Sequence, residues 1–144
     1  MNQLDRLDRL VDKLEQKLKQ TPLSPRAKNL QRLNALYQSL ELTKTVQEFN
    51  ELFEFKAMNL MGISLQDEDF GKIRQGHYVQ ILCISSSLKN GKKSQKNSSL
   101  AYFGKAEKLE ENRKKEIIEF VLRWRYEKAF RHVDMYEELL TKLQ

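Results

Sequence analysis

Cysteine is nearly absent from this chain: Cys83 is the only one in 144 residues. A lone thiol excludes an internal disulfide and a cysteine-rich zinc site, and it is consistent with a reducing compartment. Proline, with two residues, and glycine, with five, are scarce as well. Turn-rich β folds lean on both, so their scarcity argues for helices. Long apolar runs are also missing, and none approaches the roughly 18 residues that a membrane span needs. The early residues alternate in charge, as in Asp5-Arg6 and Asp8-Arg9, with no basic stretch leading into an apolar one. A signal peptide is therefore not expected, and the expected location is the cytoplasm, away from membrane.

What the chain does contain is Leu, Lys, Glu and Gln, the straight-chain helix formers. Hydrophobic residues make up 40% of it, enough for a true core, so a fully disordered chain is excluded. The length suits one domain. The net charge is +6, and a surplus of that size attracts polyanions. It is unevenly placed. From Ser85 to Gln144 there are fourteen Lys or Arg against nine Asp or Glu, a net of +5, while the rest of the chain carries +1.

Periodicity gives the elements. Leu4, Leu7, Val11, Leu14 and Leu18 alternate spacings of three and four, which predicts a helix over about Gln3–Gln20 with an a/d stripe. That stripe suits packing on its own domain, or dimerisation. Thr21-Pro22-Leu23-Ser24-Pro25 breaks the helix, with Ser24 as N-cap of a second helix from Pro25 to about Glu41. Ala27, Leu30, Leu33, Leu36, Tyr37 and Leu40 form its buried side. Thr45-Val46-Gln47-Glu48 reads as a capping box opening a third helix that Gly62 closes. Phe70, Ile73, His77, Ile81, Ile84 and Leu88 recur at helical spacing. The β-branched run from His77 to Ile84 also suits a strand, but no partner strand is evident, so a helix is expected. Ser85–Ser99, with four Lys and no acidic residue, reads as a flexible basic loop. Lys105–Leu143 reads as a long helix. Its stripes Ile117, Phe120, Val121, Trp124 and Phe130, Val133, Tyr136, Leu140 differ in register, so a kink or rotation is expected between Arg125 and Phe130. The expectation is an all-α antiparallel helical bundle with a long C-terminal helix and a basic flexible loop. It forms a single domain: 1–84 hold the N-terminal helices, 85–100 the loop and 101–144 the basic helix.

Catalysis finds little support. His77 and His132 lie far apart, no His-x-x-x-His or Cys-x-x-Cys pair occurs, and no Gly-rich phosphate loop is present. Only a site assembled by the fold from His77, Cys83 and His132 would offer metal or catalytic chemistry, so neither enzyme activity, metal nor cofactor is expected. Binding finds more. Arg123, Trp124, Arg125, Tyr126, Lys128 and Arg131 interleave cations with aromatics, the combination that holds phosphates and stacks unpaired bases. Trp124 serves equally as the largest core residue, with Arg123 and Arg125 flanking it in solvent. Lys89, Lys92, Lys93 and Lys96 extend the cationic set into the loop.

Several segments carry a resemblance in order. Lys13-Leu14-Glu15-Gln16-Lys17-Leu18 is similar to a first-helix pattern. Pro22-Leu23-Ser24, then Arg32-Leu33-Asn34 and Leu36-Tyr37-Gln38, resemble a Pro-x-Ser stretch leading to Arg-Phe-Asp and Leu-Phe-Gln. Gln80-Ile81-Leu82 matches a central helix, and Tyr126-Glu127-Lys128 with Phe130-Arg131 resembles a basic Phe-Glu-Arg-Arg-Leu-Arg segment. These are features of the bacterial primosomal replication protein N'' family (PriC), and the likeness spans about three quarters of the chain. The chain departs from that family in lacking its final helix and in carrying the Lys-rich loop. The resemblance implies an accessory protein of DNA replication restart. Such a protein binds single-stranded DNA and the acidic tail of single-strand-binding protein, and assists loading of the replicative helicase. Lys128 and Arg131 carry over as basic contacts, with Arg125 added on charge. The rival expectation is a helical protein–protein adaptor or regulatory subunit that binds no nucleic acid, docking through the Leu4–Leu18 stripe.

Overall fold

The computed structural model describes residues 2–20 and 22–144, without the side chains of residues 18–20. The expectations for Leu18 and Thr21 therefore lie outside the described residues. Helix α1 (Gln3–Gln20) forms as its periodicity predicts, and helix α2 (Pro25–Ser39) begins at Pro25 with the Ser24 hydroxyl accepting from the Ala27 N–H at 3.1 Å. Short 3-10 segments at Leu42–Lys44 and Phe49–Glu54 lead into strand β1 (Ala57–Met61). Strands β2 (Tyr78–Lys89) and β3 (Lys92–Lys105) follow, and helix α3 (Glu111–Thr141) ends the fold. The three strands make an antiparallel meander, β1-β2-β3, in which Ala57 faces Ile84 and Lys89 faces Lys92.

The all-α expectation is thus corrected: the fold mixes helices with a sheet. The expected third helix between Thr45 and Gly62 is instead the 3-10 segment Phe49–Glu54 and β1, and no capping box forms, since the Thr45 N–H bonds the Leu42 carbonyl oxygen. Gly62 does adopt φ +89°, but at a strand end, where a Cβ would lie 2.7 Å from the Tyr78 carbonyl oxygen. The expected helix across residues 70–88 is a strand in its second half. Val79, Ile81 and Cys83 alternate into the core, as half-buried β-branched runs do. Its partner was hidden in the basic segment. Residues 85–99 are not a loop but the outer half of a β-hairpin, turned by Asn90 (φ 51°) and Gly91 (φ 75°). Two successive positive φ values match the twist of a two-residue hairpin turn. Polar residues on both faces erased the period-2 signal from β3.

Helix α3 is unbroken through Arg125–Phe130, the stretch where a kink or rotation was expected. Its two apolar stripes need no kink because only one is buried. Ile117, Phe120, Val121 and Trp124 face inward; Val133, Tyr136 and Leu140 are exposed. Helices α2 and α3 lie antiparallel. Arg26 reaches Glu127 and Asp134, Arg32 reaches Glu119, and the Ser39 hydroxyl donates to Glu116. Between them and the sheet sits one core, built on Leu33, Leu36, Tyr37, Leu52, Ile81 and Trp124. Helix α1 takes no part, and every residue from Asn2 to Lys17 is exposed.

Candidate nucleic-acid interface

Beyond Ile84 the β2–β3 hairpin leaves the core and becomes an arm. Residues 86–93 are all exposed, and five residues of strand from Ile84 to Lys89 reach about 17 Å. Pleating decides which side each lysine takes. Cys83 faces the core, so Ser85, Ser87 and Lys89 continue on the core side, and their partners Lys96, Ser94 and Lys92 join them. Lys93, opposite Leu88, points to the other side. The Ser87 and Ser94 hydroxyls bond across the strands at 2.9 Å on the lysine side. Lys89 and Lys92 stand directly opposite each other, a like-charge pair that weakens a hairpin. No acidic residue lies in the arm to offset it.

Helix α3 leaves the core at the same end. The Arg125 guanidinium donates to the Met58 carbonyl oxygen at 3.0 Å, and the Lys128 ammonium to that of Phe53 at 2.5 Å. One turn further on, His132 borders a cleft of about 340 Å³ that also contacts Lys56, Met58, Arg125 and Lys128. Lys56 stands at the root of the arm, its N–H bonded to the Ile84 carbonyl oxygen at 2.7 Å. A second cleft of about 590 Å³ adjoins through Asn59 and Arg125 and adds Arg74 and His77. No carboxylate lines either cleft. Across the molecule, one cleft between α2 and α3 pairs Glu116 and Glu119 with Arg32 and Lys115, and another, lined by Lys28, Arg123 and Tyr126, has no carboxylate. Burial lowers the Lys128 pKa from the ordinary lysine value, with help from the nearby Arg131 charge. An incoming anion would oppose that shift.

The cations expected from sequence therefore divide. Arg125 and Lys128 come together in the cleft at the root of the arm; Lys89, Lys92 and Lys96 take the core side of the arm and Lys93 the other. Arg123 is committed to the α2–α3 junction, donating to Glu119 at 2.7 Å and to the Asn29 side-chain oxygen at 3.0 Å. Arg131 covers the Phe53 ring at 4.0 Å and meets the buried Glu127 at 3.4 Å. Trp124 is 2% exposed, and its ring N–H donates to the Leu52 carbonyl oxygen at 2.8 Å, so it is core and offers no stacking face. Sequence reasoning missed Lys56 and Arg74, which have no local pattern. It also missed an exposed aromatic pair on the outer face of the sheet, Tyr78 and Tyr102, with ring centres 5.8 Å apart. The signal that could have found the hairpin is Asn90-Gly91.

His77, Cys83 and His132 do not assemble a site. Cys83 is fully buried, and burial pushes its thiol pKa up to about 12, which leaves it protonated and inert. Among the described residues no group of three or more His, Cys, Asp or Glu is placed to hold a metal ion. No described helix is long and apolar enough to cross a membrane. Comparison of the chain with known protein families, with characterised proteins and with solved structures finds no match.

Proposed function

We propose that this chain is a binding protein rather than an enzyme, and that it holds nucleic acid by its phosphates between the arm and α3. One observation carries the reading. Lys56, Arg125 and Lys128 line a cleft without a carboxylate at the root of the arm, and the pleat puts Lys89, Lys92 and Lys96 on the arm's core side, the side of the sheet that α3 packs against. Cations from the arm, its root and α3, none of them with a carboxylate partner among the described residues, match a surface for a long polyanion. The site is poor in exposed aromatics, which favours backbone contact over base readout. The specific form of the proposal is the one the PriC resemblance implies. There the ligands are single-stranded DNA and the acidic tail of single-strand-binding protein, and the setting is replication restart with helicase loading.

Titration of labelled single-stranded and duplex oligonucleotides at several salt concentrations tests it. Binding should weaken steeply with salt. Changing Lys89, Lys92 and Lys96 together to Ala should flatten the log–log salt dependence by about 2–3 units, one counter-ion per lost phosphate contact. No affinity at low salt would sink the proposal and leave the lysines as guards of an edge strand. The adaptor reading retains one observation in its favour, the exposure of Leu4, Leu7, Val11 and Leu14 on α1.

A further inference from the structure

The arm has two unlike faces. On its core side Lys89, Lys92 and Lys96 stand with Ser87 and Ser94, whose hydroxyls bond each other. By the same pleat the other face carries Ser86, Leu88, Lys93, Gln95 and Asn97, all of them exposed. The side-chain amides of Gln95 and Asn97 have no hydrogen-bond partner among the described residues. Leu88 is the only large apolar side chain between Ser85 and Ser98, and it stands 72% exposed, two residues before the Asn90-Gly91 turn. Unpaired amides and a bare leucine thus share one face of a projecting ribbon, and the cations crowd the other. We propose that the amide face lies against base edges in the major groove of duplex DNA while the lysines hold the phosphates. The inference rests on the phosphate-binding reading above and adds duplex DNA to its ligands.

Each residue type on that face has a counterpart in the groove. An Asn or Gln amide matches the N6 donor and N7 acceptor of adenine, and an apolar side chain meets the thymine methyl group. Bases in a duplex stay stacked, so their edges are read without the aromatic platform that single strands require and the arm lacks. The dimensions agree as well. Paired strands lie about 4.8 Å apart, and the major groove of B-form DNA, about 12 Å wide, admits a two-stranded ribbon. The deep, narrow major groove of A-form RNA does not. At 3.4 Å per base pair, the roughly 17 Å from Ile84 to Lys89 covers about five pairs. Lysine stems carry their charge well beyond the strand, so Lys89, Lys92 and Lys96 on the back of the ribbon reach the phosphates along the rim of the groove.

Fluorescence anisotropy of the full chain with duplex DNA, single-stranded DNA and duplex RNA of equal length tests this. Duplex DNA containing A·T pairs should bind most tightly. Replacing its adenines by 7-deazaadenine removes the N7 acceptor and no charge. Binding should weaken roughly tenfold, the discrimination expected of one bidentate contact, with the salt dependence unchanged. Uracil in place of thymine should weaken it about fourfold, the worth of one buried methyl group. Gln95→Ala with Asn97→Ala should abolish the first difference and Leu88→Ala the second, each with an unchanged Trp124 near-ultraviolet signal. Binding of duplex DNA that ignores both base changes would overturn the inference and leave the phosphate-binding reading standing. Single strands or duplex RNA bound as tightly as duplex DNA would do the same. Absence of binding to every oligonucleotide would remove both.

Discussion

Two regions of this molecule obey different rules. In the inner one, formed by α2, the base of the sheet and the first half of α3, every buried side-chain polar atom among the described residues has a partner. The Tyr37 hydroxyl donates to the Val46 carbonyl oxygen, and Asn29 both donates to the Arg123 carbonyl and accepts from its guanidinium. Glu127, fully buried, accepts from Arg26 at 2.7 Å. In the outer region, made of α1, the arm and the last turns of α3, apolar stripes stand in water and like charges face each other. A chain that satisfies its interior so fully does not leave its projections unsatisfied for lack of residues; the difference separates what folds the protein from what it contacts.

That division can be broken from the inner side first. Trp124→Ala removes the largest buried side chain and orphans the Leu52 carbonyl. Denaturant unfolding should show a loss of about 3–5 kcal/mol, the range for large aromatic truncations in cores. Gly62→Ala forces a Cβ to within 2.7 Å of the Tyr78 carbonyl oxygen at a positive φ. The expected cost is about 1–3 kcal/mol, read the same way.

A smaller effect comes from acid. Hydrogen bonds from the Arg32 guanidinium, with Arg123 assisting against desolvation, hold Glu119 down to about 2 from the ordinary 4.5. A depressed folded-state pKa means a contribution present above the unfolded value and lost as pH falls through the folded one. Thermal unfolding should therefore show stability dropping between about pH 4.5 and 2, and less steeply in Arg32→Ala. The smallest effect belongs to the outer region. Lys89→Ala, Lys92→Ala and Lys96→Ala together should change the unfolding midpoint little or raise it slightly, because like-charge repulsion in the arm is relieved. A marked loss of stability would show that the arm belongs to the fold after all.

How much of this could be read from the chain follows the same division. Helices α1 and α2 were legible to within a residue or two, because the 3.6-residue period and the Ser24-Pro25 start are local signals. Helix α3 was legible as a helix but not as a two-sided one. Val133, Tyr136 and Leu140 look like core residues until the structure shows that nothing lies over them. Of the sheet only β2 showed itself, as the β-branched run His77–Ile84, and its partners were hidden for a physical reason. Strand β1 is short, and β3 pairs through its backbone while its side chains, Lys92 to Ser99, are polar on both faces, so hydrophobic alternation had nothing to report. The Lys89–Lys96 cluster was visible as charge, and the side of the arm that each lysine takes needed the pleat of the hairpin. Lys56 and the Tyr78–Tyr102 pair required the pairing register itself.

The central claim is that polyanions are held on the arm-and-α3 side of the molecule and nowhere else. Backbone amide shifts recorded while a short oligonucleotide is titrated into the full chain test this directly. The account predicts perturbation concentrated in Ser85–Ser98, at Lys56 and from Arg125 to His132, with Leu33–Leu42 and the Tyr78–Tyr102 face unmoved. Shifts centred on the two tyrosines, or spread evenly over every exposed lysine, would contradict it.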